Sequence, residues 1–421
     1  MEQSQPAASA ATPAPTFAAL ATMPYHDEVI ALLRAEEPQA WAWASSAEAR
    51  SEHAQQLRAL LLENSYRLDA DAHPHLHAAC AAAARRLQVA APISLYHGTD
   101  SDSNAAILYV PGEVHIIFHG SLHERLETAE LEAVLGHELA HFVLCERDDG
   151  AWMTADRLLR MSAADPAVSD SVRETARLFG LYTEAFADRG GAVACGALEP
   201  AVAALVKVRT GLARVSAESY LRQAAEVCAA MKGRSDATTH PEIFVRTQAL
   251  RLWCEAHAGG AEEPLAIAAE TWLRGALEGS LDIDALDLAG QQRLGTLTRR
   301  VIGQFLRPAA LRSEGMLACA RQFFPDATPA DGPDPALRDT IAPATGVHGY
   351  VAALLLDFAV ADRTLDDVPF AQALTLAGEL GLLEAFERLA ATALKLSRRQ
   401  LAKARADAVP LLERAAEDRH G

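Results

Sequence analysis

The segment His137-Glu138-Leu139-Ala140-His141 decides how the rest of this chain is interpreted, because it is an H-E-x-x-H pattern. On an α-helix, residues four apart lie on the same face, so the two imidazoles can bind one metal ion from adjacent turns. The glutamate between them projects near that face, where it can accept a proton from a metal-bound water. The pattern predicts the core of a zinc metallopeptidase, provided that a helix surrounds it and a third ligand exists.

The residues around this segment have the pattern of a helix. Apolar side chains recur with i, i+3 and i+4 spacing; they are Leu131, Val134, Leu135, Leu139, Phe142 and Val143. Thr128 is the predicted N-cap, Glu130 in the first turn suits the helix dipole, and residues 148–150 predict the end. The alternative is that His137 and His141 are ordinary polar residues of a half-buried helix.

The type of the third ligand follows from what the sequence lacks. A metzincin would continue the pattern with glycine and histidine, but this chain has Leu144 and Arg147 at those positions. That class is therefore excluded, and the remaining common solution is a glutamate from a second helix.

Glu184 and Asp188 offer such a carboxylate, because they are four residues apart and would share one helix face. The helix is predicted over residues 172–189, ending at Gly190-Gly191. Glu184 would complete a His₂Glu site, and Asp188 would orient one of the imidazoles. The alternatives are that Glu174 is the ligand, or that Glu184 is a solvated surface residue.

An ordered set of motifs resembles family 48 of the metallopeptidases, which includes the CAAX prenyl proteases. The motifs lie within residues 70–255 and are Ser103-Asn104-Ala105-Ala106, the strand at 112–118, the segment 132–142, Glu184 with Asp188-Arg189, and Thr239-His240-Pro241 with Arg246. The resemblance implies that Glu184 is the third ligand of a single Zn²⁺ and that His240 and Arg246 lie near the metal. Most relatives carry transmembrane helices, whereas this sequence shows none.

The expected chemistry follows from these groups. Zinc bound by His137, His141 and Glu184 would acidify a water molecule, and Glu138 would act as the general base and pass the proton to the leaving amine. His240 is a candidate oxyanion donor, or a fourth zinc ligand that holds the enzyme inactive; the alternative is that it caps the helix after Pro241. Arg246 is expected to anchor the local loop or to pair with a carboxylate.

Three short β-branched segments, residues 93–97, 105–110 and 113–118, are predicted strands. The last would lie beside the metal-binding helix, and an exposed edge there would pair with an extended substrate backbone. Its predicted substrate-binding residues are Glu113, Val114, His115 and Ile116. His115, His119 and His123 are predicted not to bind metal, because helical stacking does not apply to a strand and turn.

Composition limits the remaining possibilities. Half of the 421 residues are hydrophobic and only 6% are aromatic, which favours helices packed through small side chains. We therefore predict a mainly α protein with a small β-sheet (α+β), in which a zincin-like metallopeptidase domain precedes an α-helical C-terminal region. The net charge of −18 argues against nucleic acid as a partner. Six scattered cysteines predict reduced thiols and a cytoplasmic protein, and no integral membrane segment is found.

The C-terminal part resembles the tellurite-resistance TerB-like helical domains. Residues 350–367 read as an apolar helix followed by an acidic turn, and a second helix ends in Leu-Gly at 380–381. The resemblance implies a divalent-cation site at Asp362, Asp366 and Asp367, but Arg363 stands where relatives have glycine. The favoured alternative is that Asp366 and Asp367 cap the next helix.

These observations predict an order of segments along the chain. They are a disordered arm (1–22), N-terminal helices that pack on the catalytic body (23–69), a zinc metallopeptidase domain (70–260), a helical connecting region (261–324), a Pro-rich linker (325–346) and a TerB-like helical domain (347–421). Residues 151–170 are expected to form a loop or short helix that covers the cleft.

Three functions are compared. The first is a soluble zinc endopeptidase that cleaves a protein or peptide substrate in quality control or stress response. The second is a module that binds peptides without cutting them, against which the intact Glu138 argues. The third is a regulatory interaction protein whose C-terminal helical domain recruits a protein partner. We favour the first.

Overall fold

The computed structural model describes residues 16, 20–46, 59, 61, 63–100, 104–258 and 263–417. The chain divides into two compact units, Met1–Gly279 and Ser280–Gly421. The predicted disordered arm falls largely outside the described residues. Its described part includes Leu20, which is buried.

Helices form most of the first unit. They are α1 (Pro24–Glu36), α2 (Pro38–Ala44), α3 (Pro74–Arg86), α4 (Leu122–Arg125), α5 (Thr128–Glu146), α6 (Ala151–Ala163), α7 (Asp170–Cys195), α8 (Leu198–Thr210), α9 (Ala217–Ala230), α10 (Ile243–His257) and α11 (Glu263–Leu277). The predicted mainly α class is confirmed. The segment expected to cover the cleft is helical, as α6.

A four-stranded mixed sheet accompanies these helices. Its strands are β1 (Ser65–Arg67), β2 (Ile93–Gly98), β3 (Asn104–Val110) and β4 (Glu113–His119). The order across the sheet is β1-β2-β4-β3, with β2 and β4 parallel and the other pairs antiparallel. β3 and β4 are joined by a tight turn in which Gly112 has a φ of 75°, a conformation that glycine adopts without strain.

The predicted end of the second metal-site helix at Gly190-Gly191 is wrong. Helix α7 continues through both glycines to Cys195 and ends at Gly196, which has the left-handed conformation typical of a helix C-terminus. A glycine inside a helix lowers stability, so the two glycines inside α7 indicate that close packing there requires them.

That reason is the close crossing of α5 and α7. A Cβ atom at Gly136 of α5 would lie 2.1 Å from the Cβ of Ala194, and one at Gly190 of α7 would lie 2.3 Å from the Cβ of Ala140. Atoms cannot approach so closely, so only glycine permits this distance between the helices. The crossing brings the H-E-x-x-H segment next to the middle of α7.

Helix α1 packs on α7 through aromatic side chains. The ring of Tyr25 stacks on Tyr182 with centroids 4.7 Å apart. The buried His26 donates a hydrogen bond from Nε2 to the carbonyl oxygen of Phe179 at 3.0 Å. The α1 helix therefore supports the central part of α7.

The described residues of the second unit form helices joined by turns and irregular segments, without a strand. Its helices are α12 (Leu288–Phe305), α13 (Glu314–Phe323), α14 (Ala336–Ile341), α15 (His348–Ala359), α16 (Val368–Glu379), α17 (Leu383–Ala393) and α18 (Arg398–Glu417). One hydrophobic core runs through them, from Leu297 to Leu401.

The predicted Pro-rich linker at 325–346 requires correction. Its helix α14 buries Leu337 and Ile341 in the core of the second unit, so these residues belong to a folded body. The prolines lie in turns between helices. Amino-acid composition alone does not distinguish such turns from a linker.

The boundary between the units also differs from the predicted one after residue 260. Helix α11 belongs to the first unit, where Leu273 and Leu277 are buried and Glu270 pairs with Arg189 of α7 at 2.8 Å. The predicted connecting region is therefore divided between the units.

No helix among the described residues is long and apolar enough to span a bilayer. All six cysteines are free thiols, as the sequence predicts.

Candidate metal centre and active-site cleft

Helix α5 is held at its start by a capping box. The side chains of Glu127 and Glu130 each accept a hydrogen bond from the other residue's backbone N–H. The N-cap is Glu127, so the predicted cap at Thr128 is one residue off. Glu130 is buried and also pairs with Lys207 of α8 at 2.6 Å, which ties the helix start to the rest of the unit.

The end of α5 agrees with the sequence. Asp148, Asp149 and Gly150 all have left-handed backbone conformations, which the helix cannot continue through. His137, Glu138 and His141 lie in the middle of this helix, where its hydrogen bonding is complete.

Three side chains come together where α5 crosses α7. The Nε2 atoms of His137 and His141 lie 3.3 Å apart, and they lie 3.5 and 3.9 Å from the carboxylate oxygens of Glu184. Among the described residues, these three form a group whose ligand atoms all lie within 4.8 Å of one another.

The geometry of this group fits a metal ion. Three atoms about 2.1 Å from a common tetrahedral centre are separated from one another by about 3.4 Å, close to the observed distances. The buried Oε2 atom of Glu184 has no hydrogen-bond partner, although Nη2 of Arg246 lies 3.4 Å from it. A buried carboxylate oxygen without a hydrogen bond is costly, and a bound cation would reduce that cost.

The protonation of the histidines suits the same role. The Nδ1–H group of His137 donates to Asp188 Oδ1 at 3.1 Å, so Nε2 is the nitrogen that faces Glu184. Burial alone would lower the pKa of His137, but Asp188 and Glu184 outweigh it and raise that pKa, so a metal ion bound at Nε2 would displace a proton. Burial, reinforced by the neighbouring His137, lowers the pKa of His141 to about 4, so its ring is neutral at pH 7. Both Nε2 atoms thus face the position that a metal ion would occupy.

Asp188 is fixed by Arg246 of α10. The guanidinium donates from Nε at 2.8 Å and from Nη2 at 2.6 Å, a bidentate pair between two buried side chains. Burial alone would raise the pKa of Asp188, but Arg246 and His137 outweigh it and hold the pKa well below its usual range. The carboxylate is therefore charged and keeps His137 in one orientation.

Glu138 is buried beside the histidines and has a different electrostatic environment. Burial raises its pKa to about 7, with His137 opposing the shift and Glu184 adding to it. The backbone N–H of Ile107 in β3 is close enough to the carboxylate to oppose this rise in pKa. A pKa near neutrality is the value at which a carboxylate best accepts and returns a proton.

His240 lies at the mouth of the same site. Its side chain is 59% exposed, and its Nε2 atom is 3.6 Å from Glu184 Oε2. The alternative that it caps the following helix is wrong, because α10 begins at Ile243 with Glu242 at the N-cap position. The structure therefore places His240 where it can contact a group bound beside Glu184.

The other histidines and carboxylates considered lie elsewhere. Glu174 pairs with Arg177 at 2.8 Å and with Arg234, about 15 Å along α7 from Glu184 at the helical rise per residue. His115 is buried in β4 and contacts Glu113 at 3.2 Å. Among the described residues, His115, His119 and His123 belong to no group with metal-ligand spacing.

The predicted substrate strand requires correction. Strand β4, which contains Glu113, Val114, His115 and Ile116, lies between β2 and β3, and its backbone pairs on both sides. It offers no edge to a substrate. The edge strand on the side of α5 is β3. The sequence predicted this strand but gave it no role in substrate binding.

A cleft of about 1330 Å³ opens over the metal-binding group. Strand β3 forms one side of it, and α6 contributes Trp152, Met153 and Met161. The cleft also contains four arginines that the sequence reading missed: Arg125, Arg157, Arg160 and Arg209. No local motif marks them, because they come from three separate helices.

The predicted cation site in the second unit is not formed. Asp362 accepts hydrogen bonds from Ser313 and from Thr364, and its neighbours Asp366 and Asp367 form no metal-ligand group with it among the described residues. Asp367 does occupy the N-cap position of α16, but its side chain makes no capping hydrogen bond.

The site combines a helix with two histidines, a second helix that supplies a carboxylate, and a strand edge beside them. This combination is typical of metallopeptidases. Residues 70–254 match the family model described as Peptidase family M48. The predicted resemblance is thereby confirmed for the first unit, whereas the TerB-like resemblance stays a prediction.

Similarity to one curated protein supports the same class. The chain is 37% identical over 102 residues to the plastoglobule-localized metallopeptidase 48, chloroplastic, of Arabidopsis thaliana. The aligned part is 24% of this chain and 28% of that relative. No solved structure matches significantly.

Proposed function

We propose that this protein is a zinc-dependent metalloendopeptidase, with the ion held by His137, His141 and Glu184. The observation that carries the proposal is the convergence of these three ligand atoms within 4.8 Å, with one buried carboxylate oxygen lacking a hydrogen-bond partner. Zinc bound there would act as a Lewis acid towards water and towards a substrate carbonyl group.

Glu138 is the proposed general base. It lies on the same helix face as both histidines, and burial keeps its pKa near neutrality, so it can accept a proton from water and donate it to the leaving amine. The backbone N–H of Ile107 faces the Glu138 carboxylate and lowers its pKa slightly against the effect of burial. This contact also couples the proposed base to the edge strand.

The edge strand β3 is the proposed site for the substrate backbone. Ile107 directs its N–H away from β4 and towards Glu138, and the alternation of an antiparallel ladder predicts the same direction for Ala105. Among the described residues no further strand pairs with this edge. An extended peptide added there would pass directly over the metal-binding group.

His240 is the proposed oxyanion donor. Its Nε2 atom is close to Glu184 and its side chain is accessible from the cleft, so it can donate to an oxygen that develops negative charge. The competing proposal, a fourth ligand that inhibits the enzyme, predicts the opposite response to substitution. His240→Ala should lower casein cleavage in the first case and raise it in the second.

Other predictions from the sequence have less support. A role in quality control or stress response and a cytoplasmic location stay predictions, and the curated relative is described as plastoglobule-localized and chloroplastic. Partner recruitment by the C-terminal unit also stays a prediction.

The test combines metal content with casein cleavage. The wild type should contain about one zinc per chain and cleave casein, and Glu138→Gln should retain zinc while losing cleavage by about 100-fold or more. Glu132→Gln is the matched control, because it makes the same change on the same helix outside the cleft. Equal cleavage by the wild type and Glu138→Gln would contradict the assignment.

A further inference from the structure

The cleft collects four arginines besides Arg246, although the chain as a whole is acidic. The sequence has 56 acidic and 38 basic residues. Within the described part of the chain, however, Arg125, Arg157 and Arg209 have no carboxylate partner. Arg125 donates to the backbone oxygen of Gly211, and Arg157 lies over the ring of Trp43 at 4.9 Å.

The two carboxylates that line the cleft beyond the metal centre, Asp156 and Glu242, offset only part of the charge of its four arginines. Asp156 pairs with Arg160 at 2.7 Å, and Glu242 accepts a hydrogen bond from the hydroxyl of Ser235 at 2.7 Å. The remaining carboxylates in the cleft, Glu138, Glu184 and Asp188, all lie at the metal centre, where His137, His141 and Arg246 surround them. The outer parts of the cleft therefore carry net positive charge.

The arginines occupy two separate ends of the proposed substrate strand. Arg125 follows β4 by six residues, and the end of β4 at His119 pairs with Asn104, the first residue of β3. Arg209 is near Arg125, since Arg125 contacts Gly211 directly after α8. These two arginines therefore lie towards the start of β3.

Arg157 and Arg160 lie towards the other end. The hydroxyl of Tyr109, near the end of β3, donates to Glu146 at the end of α5. Helix α6 begins at Ala151, shortly after this point, and carries both arginines into the cleft. The metal-binding group lies between the two ends, beside Ile107.

We propose that this cleft selects extended peptides that carry aspartate or glutamate towards both ends of the bound segment. The proposal rests on the proposed peptidase function and names its substrate class. His137 is about 13 Å along α5 from Glu146, and an extended peptide advances about 3.3 Å per residue. The favoured acidic residues would thus lie about four positions from the scissile bond towards the end of β3, and about three towards its start, where Asn104 is three residues from Ile107.

Direct binding tests the proposal without requiring turnover. The probes are short fluorescent peptides with an alanine-leucine centre and two glutamates at each end, compared with glutamine and lysine versions. On the full-chain Glu138→Gln variant with zinc, the glutamate peptide should bind about tenfold more tightly than the glutamine peptide, because several partly exposed ion pairs each contribute a small factor. The difference should shrink at about 0.5 M salt through screening. Equal affinity for all three peptides would overturn the proposal.

Substitution of the arginines locates the preference. The triple variant Arg125→Gln, Arg157→Gln, Arg209→Gln should lose the preference for glutamate. A control triple variant, Arg85→Gln, Arg222→Gln, Arg399→Gln, removes the same charge from exposed positions outside the cleft and should keep it. Circular dichroism checks the fold, and Arg209→Gln alone, which should weaken the preference, serves if the triple variant does not fold. A preference that survives in the cleft variant contradicts the proposal.

Cleavage mapping separates this proposal from the proposed function. If the wild type cuts a peptide library without enrichment of acidic residues at these positions, the peptidase function stands and the acidic preference fails. If no peptide is cut but the binding preference is present and depends on the arginines, the peptidase function fails and the acidic selectivity of the cleft stands.

Discussion

Asp188 accepts hydrogen bonds from His137 and Arg246 at the same time, and all three side chains are largely buried. A single carboxylate thus sets the orientation of a candidate metal ligand and balances a buried guanidinium. Removing one partner of such a pair leaves the other charge buried without compensation, which is costly.

Asp188→Asn should therefore affect both stability and metal binding. We expect the first unit to lose about 3 kcal/mol of unfolding free energy and zinc affinity to fall by about 10- to 100-fold. Urea unfolding followed by tryptophan fluorescence measures the first effect, because all five tryptophans precede residue 280. Zinc titration measures the second.

Asp170→Asn is the matched control for this prediction. Asp170 begins the same helix, but its side chain is fully exposed and pairs only with the nearby Arg173. Its substitution should change stability by about 0.5 kcal/mol or less and leave zinc affinity unchanged. Similar losses for both variants would contradict the role given to Asp188.

His26 makes a separate prediction about pH. Burial lowers the pKa of His26 to about 4, although its hydrogen bond to Phe179 opposes the shift. The unfolded chain binds a proton near pH 6.5, whereas the folded chain does not until about pH 4, so stability falls as pH drops through this window. The loss from this group amounts to about 3 kcal/mol by pH 4 and is absent above pH 7.

His26→Gln tests this contribution, because glutamine can donate to Phe179 but does not titrate. The wild type should lose tryptophan-reported stability more steeply than the variant between pH 6.5 and 4. Parallel pH profiles for the two proteins would show that His26 does not titrate as expected.

At the scale of elements, the crossing of α5 and α7 determines the site. Neither helix alone brings a carboxylate to the histidines, and the distance between the helices depends on glycines that face each other's small side chains. The same contact explains why α7 is longer than its pattern indicates.

Gly136→Ala should disrupt this crossing. The added methyl group would lie 2.1 Å from the Cβ of Ala194, so the helices must separate. We expect a loss of about 1–3 kcal/mol and weaker zinc binding, because Glu184 moves away from His137. Urea unfolding and zinc titration measure the two effects.

Gly180→Ala is the control on the same pair of helices. Gly180 lies in α7, and a Cβ atom there would meet nothing within 4 Å. Its substitution should stabilise the first unit by about 0.5–1 kcal/mol through helix propensity and leave zinc affinity unchanged. Equal effects of the two substitutions would mean that glycine content, and not the close crossing, matters.

At the scale of the whole molecule, the proposed metal centre and the residues that support it all lie in the first unit. Residues 1–279, expressed alone, should therefore fold and bind one zinc ion. The second unit has a separate hydrophobic core and contributes none of the ligands.

A fragment that ends at residue 260 tests the boundary. It lacks α11, and with it the buried Leu273 and Leu277, the ion pair of Glu270 with Arg189, and the hydrogen bond from Tyr182 to Glu278. It should be less stable than residues 1–279 in urea by several kcal/mol, because two large apolar side chains and two buried polar contacts are lost. Equal stability would favour the boundary predicted from the sequence.

Particular residues show which features could be predicted from the sequence. The prediction that His137, Glu138 and His141 lie on a helix is correct, because the 3.6-residue period of the apolar side chains can be recognised from neighbouring positions in the sequence. The strands β2, β3 and β4 were predicted to within one residue for the same local reason. The order of these strands was not, since β2 pairs with β4 across more than a dozen residues.

The sequence by itself indicated the groups at the centre: two imidazoles and a candidate base on one helix, a carboxylate on a second, and the resemblance to a known peptidase family. Only the tertiary structure decided which strand has a free edge, that Gly190-Gly191 is a packing contact, where the first unit ends, and that three arginines without carboxylate partners in the described residues line one cleft. The physical reason is distance along the chain. Helix and strand patterns depend on adjacent residues, whereas edges, crossings and charge clusters depend on segments that meet only after folding.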